Sequence, residues 1–191
     1  MDKLALVAEP FLGGYESNLG TISILEMTKI KIFSIALPNG SEKKAEKAIF
    51  SEYGIKVPKV GMSCLDIEKK NRFMSLASDQ IFLICEDNLI APISLLELDK
   101  RLNNNAYITD QSDVWVCLKF SGPNVIKALE RICPINLHEK NFPINSSART
   151  VMEHLAVIII RISQDDYYLI SASSSAQSFL LAVETSVKNT I

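Results

Sequence analysis

The stretch Thr109-Asp110-Gln111-Ser112-Asp113, Val114-Trp115-Val116-Cys117-Leu118-Lys119-Phe120, Ser121-Gly122-Pro123 decides the fold. It reads as a turn, a strand and a second turn into a helix. Val114, Val116, Leu118 and Phe120 alternate, so an extended chain places them on one face. Ser121 is expected to cap the helix, Gly122 to allow the turn, and Pro123 to sit in the first turn, where no amide donor is needed. Val125, Ile126, Leu129 and Ile132 then recur at helical spacing and predict one buried stripe. Cys133-Pro134 ends the helix, because a residue before proline avoids the helical region.

The same residues carry a family resemblance. Asp-x-Ser, an alternating strand, Ser121-Gly122-Pro123 and a helix resemble the opening motif of the folate-binding aminomethyltransferases, the T-protein of glycine cleavage. Cys133-Pro134-Ile135-Asn136-Leu137-His138, Phe142-Pro143, Ala148-Arg149-Thr150, Tyr168-Leu169-Ile170 and Ser174-Ser175-Ala176-Gln177-Ser178 follow in order. Together they resemble the gamma subunit of heterotetrameric sarcosine oxidase, from about Ile108 to Val183. The resemblance implies a folate-binding aminomethyltransferase-like fold and a role in assembly, with no cofactor in this chain. It implies alpha, beta and delta partner subunits that hold FAD, FMN, NAD, tetrahydrofolate and zinc. The family has histidine where Asp113 stands here, so its folate contacts are not carried over. A stand-alone folate-binding or aminomethyltransferase-like protein and an unrelated scaffold module are the alternative readings.

Composition bounds these readings. The chain has 191 residues, 48% of them hydrophobic, with mean hydropathy +0.16. That length suffices for one domain or two small ones sharing a core. The longest apolar run, Leu155 to Ile160, is far short of the ~20 residues that span a bilayer, so no membrane contact is expected. A net charge of −2 argues against nucleic acid. Cys64, Cys85, Cys117 and Cys133 lack close pairing, three of them in or beside apolar runs where free cysteine packs as a small hydrophobe, and a reducing cytoplasm is expected.

The architecture is read as α+β, with two ferredoxin-like-type antiparallel sheet plus helix subdomains. Residues 1–25 are expected to form an irregular N-terminal arm, 26–104 the first subdomain and 105–191 the second. Pro10, Gly13, Gly14 and Gly20 interrupt the arm, yet it holds Phe11, Leu12 and Tyr15, which are expected on a partner subunit. Ile30 to Leu37 is a central strand, apolar on both faces. Ala45, Ala48, Ile49 and Tyr53 form a helical stripe closed by Gly54. Arg72–Leu76 and Gln80–Cys85 are strands, Asp87-Asn88 a turn, and Ile93–Leu102 a helix. Asn103-Asn104-Asn105 is the predicted junction, since asparagine favours turns. Val151–Ser163 is the longest strand candidate, followed by Tyr167–Ala172 and a helix over Ser173–Val187. Strand, helix, strand, strand, helix thus occurs twice, as an echo of architecture without a residue-level repeat.

Candidate chemistry is sparse. His138 and His154 form no metal pair, and Cys133 has no histidine held against it by any local motif. Asp110-x-Ser112 reads as a turn that bonds its own amides rather than as paired carboxylates with Asp113. Gly13-Gly14 lacks the spacing of a phosphate loop. Arg149 and Arg161 are read as ion-pair residues at the surface or an interface, and Trp115 as core or interface. The Asp165-Asp166-Tyr167-Tyr168 hairpin tip is a candidate rim contact, with Tyr167 its interface residue and an ordinary turn with one inward tyrosine the other reading. Catalytic, cofactor and metal residues are therefore none in this reading.

Overall fold

A computed structural model describes residues 9–86 and 93–190. In chain order the elements are β1 (Glu16–Leu19), β2 (Ile22–Glu26), β3 (Ile30–Ala36), α1 (Glu42–Tyr53), β4 (Ser63–Leu65), β5 (Asn71–Ser75), β6 (Gln80–Glu86) and α2 (Leu95–Arg101). There follow β7 (Tyr107–Asp110), β8 (Trp115–Ser121), α3 (Val125–Leu129), β9 (Ser147–Met152), β10 (Leu155–Arg161), β11 (Asp166–Ala172) and α4 (Ala176–Lys188). The strands form two antiparallel sheets, ordered β1-β2-β8-β11-β10-β9 and β4-β5-β6-β3-β7.

The alternating strands explain how the layers stack. Val116, Leu118 and Phe120 of β8 face α3 and α4, in a core completed by Leu129, Phe179, Val183 and Val187. Cys117, between them in sequence, points the other way. It joins Ile158, Ile160, Tyr168 and Ile170 against Ile32, Met74, Phe82 and Ile84 of the second sheet. On that sheet's far side, Phe33, Ile35, Phe73 and Leu83 receive Ala45, Ala48, Ile49 and Tyr53 of α1 and Leu98 of α2. The order is helix, sheet, sheet, helix. The inner strands are apolar on both faces because both faces are covered.

The halves repeat each other: β3-α1-β4-β5-β6-α2 has the same order and pairing as β8-α3-β9-β10-β11-α4. They also exchange strands. β2 leads into β3 but pairs with β8, and β7 leads into β8 but pairs with β3. At the far end the sheets are stitched by the Met62–Ser146 bridge. There Ser63 donates its amide to Asn145 at 2.7 Å and Ser147 donates to Gly61 at 2.8 Å. The buried Arg72 reinforces the seam, donating through Nη1 to Ser63 Oγ at 3.0 Å and to Asn145 Oδ1 at 2.9 Å.

Several expectations need correction. The N-terminal 25 residues are not an irregular arm throughout: Glu16–Leu19 and Ile22–Glu26 form a hairpin in the six-stranded sheet. Ile22 and Ile24 alternate into the core, whereas Ser17 and Asn18 hide the period of β1. The chain crosses into the five-stranded sheet between β2 and β3 and returns to the six-stranded sheet after Asp110, not at the predicted 104–105 junction, because β7 pairs with β3. Asn103 and Asn104 do take left-handed turn conformations, at φ 53° each. Val151–Ser163 is not one strand: Glu153, at φ 53°, turns β9 into β10. Ser121 caps no helix. It ends β8, and α3 begins at Val125 and is only five residues long. Gly122 is needed, since a Cβ there would lie 2.1 Å from the Thr21 carbonyl oxygen in the β1–β2 turn. The Asp87-Asn88 turn lies outside the described residues.

Candidate functional site

The residues before β1 meet the exchanged strands at a cleft. Glu26, the last residue of β2, is only 5% exposed. Its carboxylate accepts amide hydrogens from Leu12 at 3.0 Å, Gly14 at 2.7 Å and Tyr15 at 3.3 Å. The backbone adds Glu26 N–H to the Tyr15 carbonyl at 2.7 Å. A buried carboxylate is tolerated where donors replace its lost water, as here. Nothing in the local pattern marks Glu26; its only signal is an acid closing an apolar alternation. Beside it lies a cavity of about 260 Å³, lined by Phe11, Met27, Ile30, Lys31, Trp115 and Cys117 among others. Trp115 donates its indole hydrogen to Gln111 Oε1 at 3.0 Å and packs edge-on against Phe82 at 5.8 Å. It is half-buried, packed against the core between the sheets and facing the cavity.

The Asp110-Ser112 pair behaves as its sequence predicts. Ser112 donates from its amide at 3.0 Å and its hydroxyl at 2.6 Å to Asp110 Oδ1. The Ser112 hydroxyl also accepts from the Ile32 amide at 3.1 Å, which locks β7 to β3. Burial pushes the Asp110 carboxyl up, but the Ser112 bonds and Lys31 outweigh it and hold it below its ordinary value.

The interface candidates divide. Phe11 is 40% exposed. Leu12 and Tyr15 are half-buried and pack on this chain's own core. Tyr15 also donates its hydroxyl to Glu184 of α4, which Lys188 holds at 3.0 Å. Tyr167 is not a rim residue. It is fully buried under α3 and α4, with the Arg161 guanidinium 5.7 Å from its ring centre. Tyr168 is buried on the opposite face, because consecutive strand residues point to opposite layers. Arg161 forms no ion pair among the described residues: its guanidinium donates to the carbonyls of Phe142 and Gln164 at 2.9 Å, Ser163 at 3.2 Å and Leu137 at 3.4 Å. Arg149 donates to the neutral Gln80 Oε1 at 3.0 Å.

The thiols are held in their protonated form. Burial raises all four, Cys85 to about 12, with Cys117 and Cys133 also inside the core. A protonated thiol is a poor nucleophile. Among the described residues no three His, Cys, Asp or Glu side chains converge as metal ligands.

What the exterior does offer is apolar surface. Phe50 stands on the outer side of α1, 55% exposed, while Ala45, Ala48 and Ile49 fill the inner side. With Val57 it forms a groove of about 570 Å³ framed by Lys43, Lys47 and Lys56 against a single Glu46. Val60, Ile67, Leu96, Tyr107 and Leu181 are further large apolar side chains left mostly in solvent. Contiguous exposed apolar surface rimmed by charge, as in the Phe50 groove, marks interaction sites, whereas singly scattered apolar side chains are ordinary.

No protein-family model matches this sequence, and no curated protein matches it. Solved structures do. The heterotetrameric sarcosine oxidase from Corynebacterium sp. U-96, in complex with pyrrole 2-carboxylate, contains a similar chain: TM-score 0.77 at 19% identity, covering 91% of this chain and 87% of that one. The fold is that of a sarcosine oxidase chain. The glycine cleavage system aminomethyltransferase T from Bartonella henselae is also similar, with TM-score 0.65 and 15% identity over 85% of this chain. This chain spans 45% of that protein's length. The expected likeness to both is therefore present at the level of fold, and the α+β reading with two antiparallel sheets holds. No helix among the described residues is long and apolar enough to cross a membrane.

Proposed function

We propose that this chain is an accessory, gamma-type subunit of a multi-chain oxidase of the sarcosine oxidase kind, serving assembly rather than chemistry. The observation that carries the reading is the shared fold, which runs over nearly the whole of both chains. The apolar, basic-framed groove at Phe50 supports it, since such a surface gains by burial against an acidic neighbour. So do the four protonated thiols, which suit packing rather than catalysis. Each sheet is read as a ferredoxin-like core, β7-β3-β6-β5 and β2-β8-β11-β10, with β4 added at the edge of the first and β1 and β9 at the two edges of the second.

In such a complex, sarcosine and oxygen give glycine and hydrogen peroxide, and tetrahydrofolate takes the released carbon as its methylene derivative. FAD, FMN, NAD, tetrahydrofolate and zinc are assigned to the alpha, beta and delta chains, in the cytoplasm. Phe11 and the α1 groove are the contacts assigned to this chain. The aminomethyltransferase likeness favours a second reading, a folate binder acting alone. Co-expression with flavoprotein chains of the sarcosine oxidase kind from the same organism tests both. A yellow complex retaining this chain is the expected result. Tetrahydrofolate binding by the isolated chain, without complex formation, would replace the first reading with the second. A chain that neither joins such a complex nor binds tetrahydrofolate would overturn both readings.

A further inference from the structure

The strand exchange leaves one edge unmatched. β2 and β7 are counterparts, each a short strand laid against the first strand of the other half. The outer edge of β2 is covered: β1 pairs with it over Glu16–Leu19. Along the outer edge of β7 no strand pairs among the described residues. Gln111 donates its amide inward, to the Ile32 carbonyl at 2.8 Å. Backbone direction alternates along a strand, so Ile108 and Asp110 aim their N–H and C=O groups outward. No backbone partner meets them there among the described residues.

The residues at this edge favour pairing. Tyr107, Ile108 and Thr109 are aromatic and β-branched types suited to strands. Tyr107, at 72%, is the most exposed aromatic side chain described. Proteins blunt idle edges with charge, proline or bulges. β1 carries the charged Glu16 and the polar Ser17 and Asn18, and β9 carries Arg149; the one charge on β7 is Asp110, which is occupied with Lys31 and Ser112.

We propose that β7 is the docking edge for an extended segment of a partner chain, laid antiparallel as β1 lies on β2. The inference rests on the reading of this chain as a subunit and says where a partner strand adds. The occupant is a segment about as long as β1, with an apolar or aromatic residue near Tyr107. It carries no acid opposite Asp110, since like charges there repel. Its affinity comes from the main-chain bonds of Ile108 and Asp110.

The test uses the assembled complex and a pair of variants. Ile108→Pro removes an amide that β3 does not use, and Ile108→Ala removes the same side chain but keeps the amide. Ile108→Pro is expected to lower retention in the complex at least about tenfold relative to Ile108→Ala. Hydrogen exchange of the outward Ile108 and Asp110 amides is expected to be fast in the isolated wild type and about tenfold slower in the complex. Equal retention of both variants, or outward amides already protected in the isolated chain, overturns the docking edge alone. If the wild type does not assemble with the flavoprotein chains, the subunit reading falls first and this edge with it.

Discussion

Glu26→Ala tests whether the segment before β1 is fixed to this chain by a buried carboxylate. Three amides point at that carboxylate, from Leu12, Gly14 and Tyr15, at 2.7 to 3.3 Å. Hydrogen bonds to a charged group contribute about 1.5–3 kcal/mol each. If all three were lost and the donors stayed dry, the cost would be about 5–9 kcal/mol. The segment is only partly buried, however, and can lift away to rehydrate its amides. What then remains lost is the packing of Leu12 and Tyr15 and the Tyr15–Glu184 bond. The expected loss of unfolding free energy is therefore about 2–3 kcal/mol, near the upper part of the usual range for one substitution. Urea unfolding measures it, and hydrogen exchange at Leu12, Gly14 and Tyr15 locates it. Glu26→Gln keeps one acceptor oxygen and should lose about half as much. A Glu26→Ala protein within about 0.5 kcal/mol of wild type, with those amides still protected, would refute the anchor.

Three further outcomes follow from the same geometry. Phe11→Ser should weaken assembly with the flavoprotein chains while leaving the melting temperature of the isolated chain within about 2 °C, because the exposed ring contributes little to its own core; a larger drop would place Phe11 inside. Cys133→Ser should spare turnover in every complex that assembles, since burial keeps that thiol protonated; a large loss of turnover would restore it as a nucleophile. Tyr15→Phe should flatten the acid limb of stability. The Glu184 carboxyl is held below its ordinary value by the Tyr15 hydroxyl first and Lys188 next. Its contribution is complete above the ordinary carboxylate value and is lost as pH falls through the lowered one. Wild type and Tyr15→Phe should thus differ at pH 7 and converge in acid; a difference that grows in acid would reverse the assignment.

The sequence by itself determined the elements whose signals are local. The stripe Ala45, Ala48, Ile49 and Tyr53 and its closing Gly54 are all found as read, because helical period and a left-handed cap involve only neighbours in the chain. The Asp110-Ser112 turn and the last helix, read over Ser173–Val187 and found as α4 with Phe179, Leu180, Val183 and Val187 buried, were legible for the same reason. Only the tertiary structure decided which strands lie side by side. The β2–β8 and β7–β3 pairings cross the chain's halves, and no periodicity within a strand records its partner. The burial of Tyr167 and the two buried arginines were hidden likewise. An aromatic at a hairpin tip and an arginine in a strand look the same in sequence whether carbonyls or water surround them. Burial is set by the layer that folds over a residue, and that layer comes from distant parts of the chain.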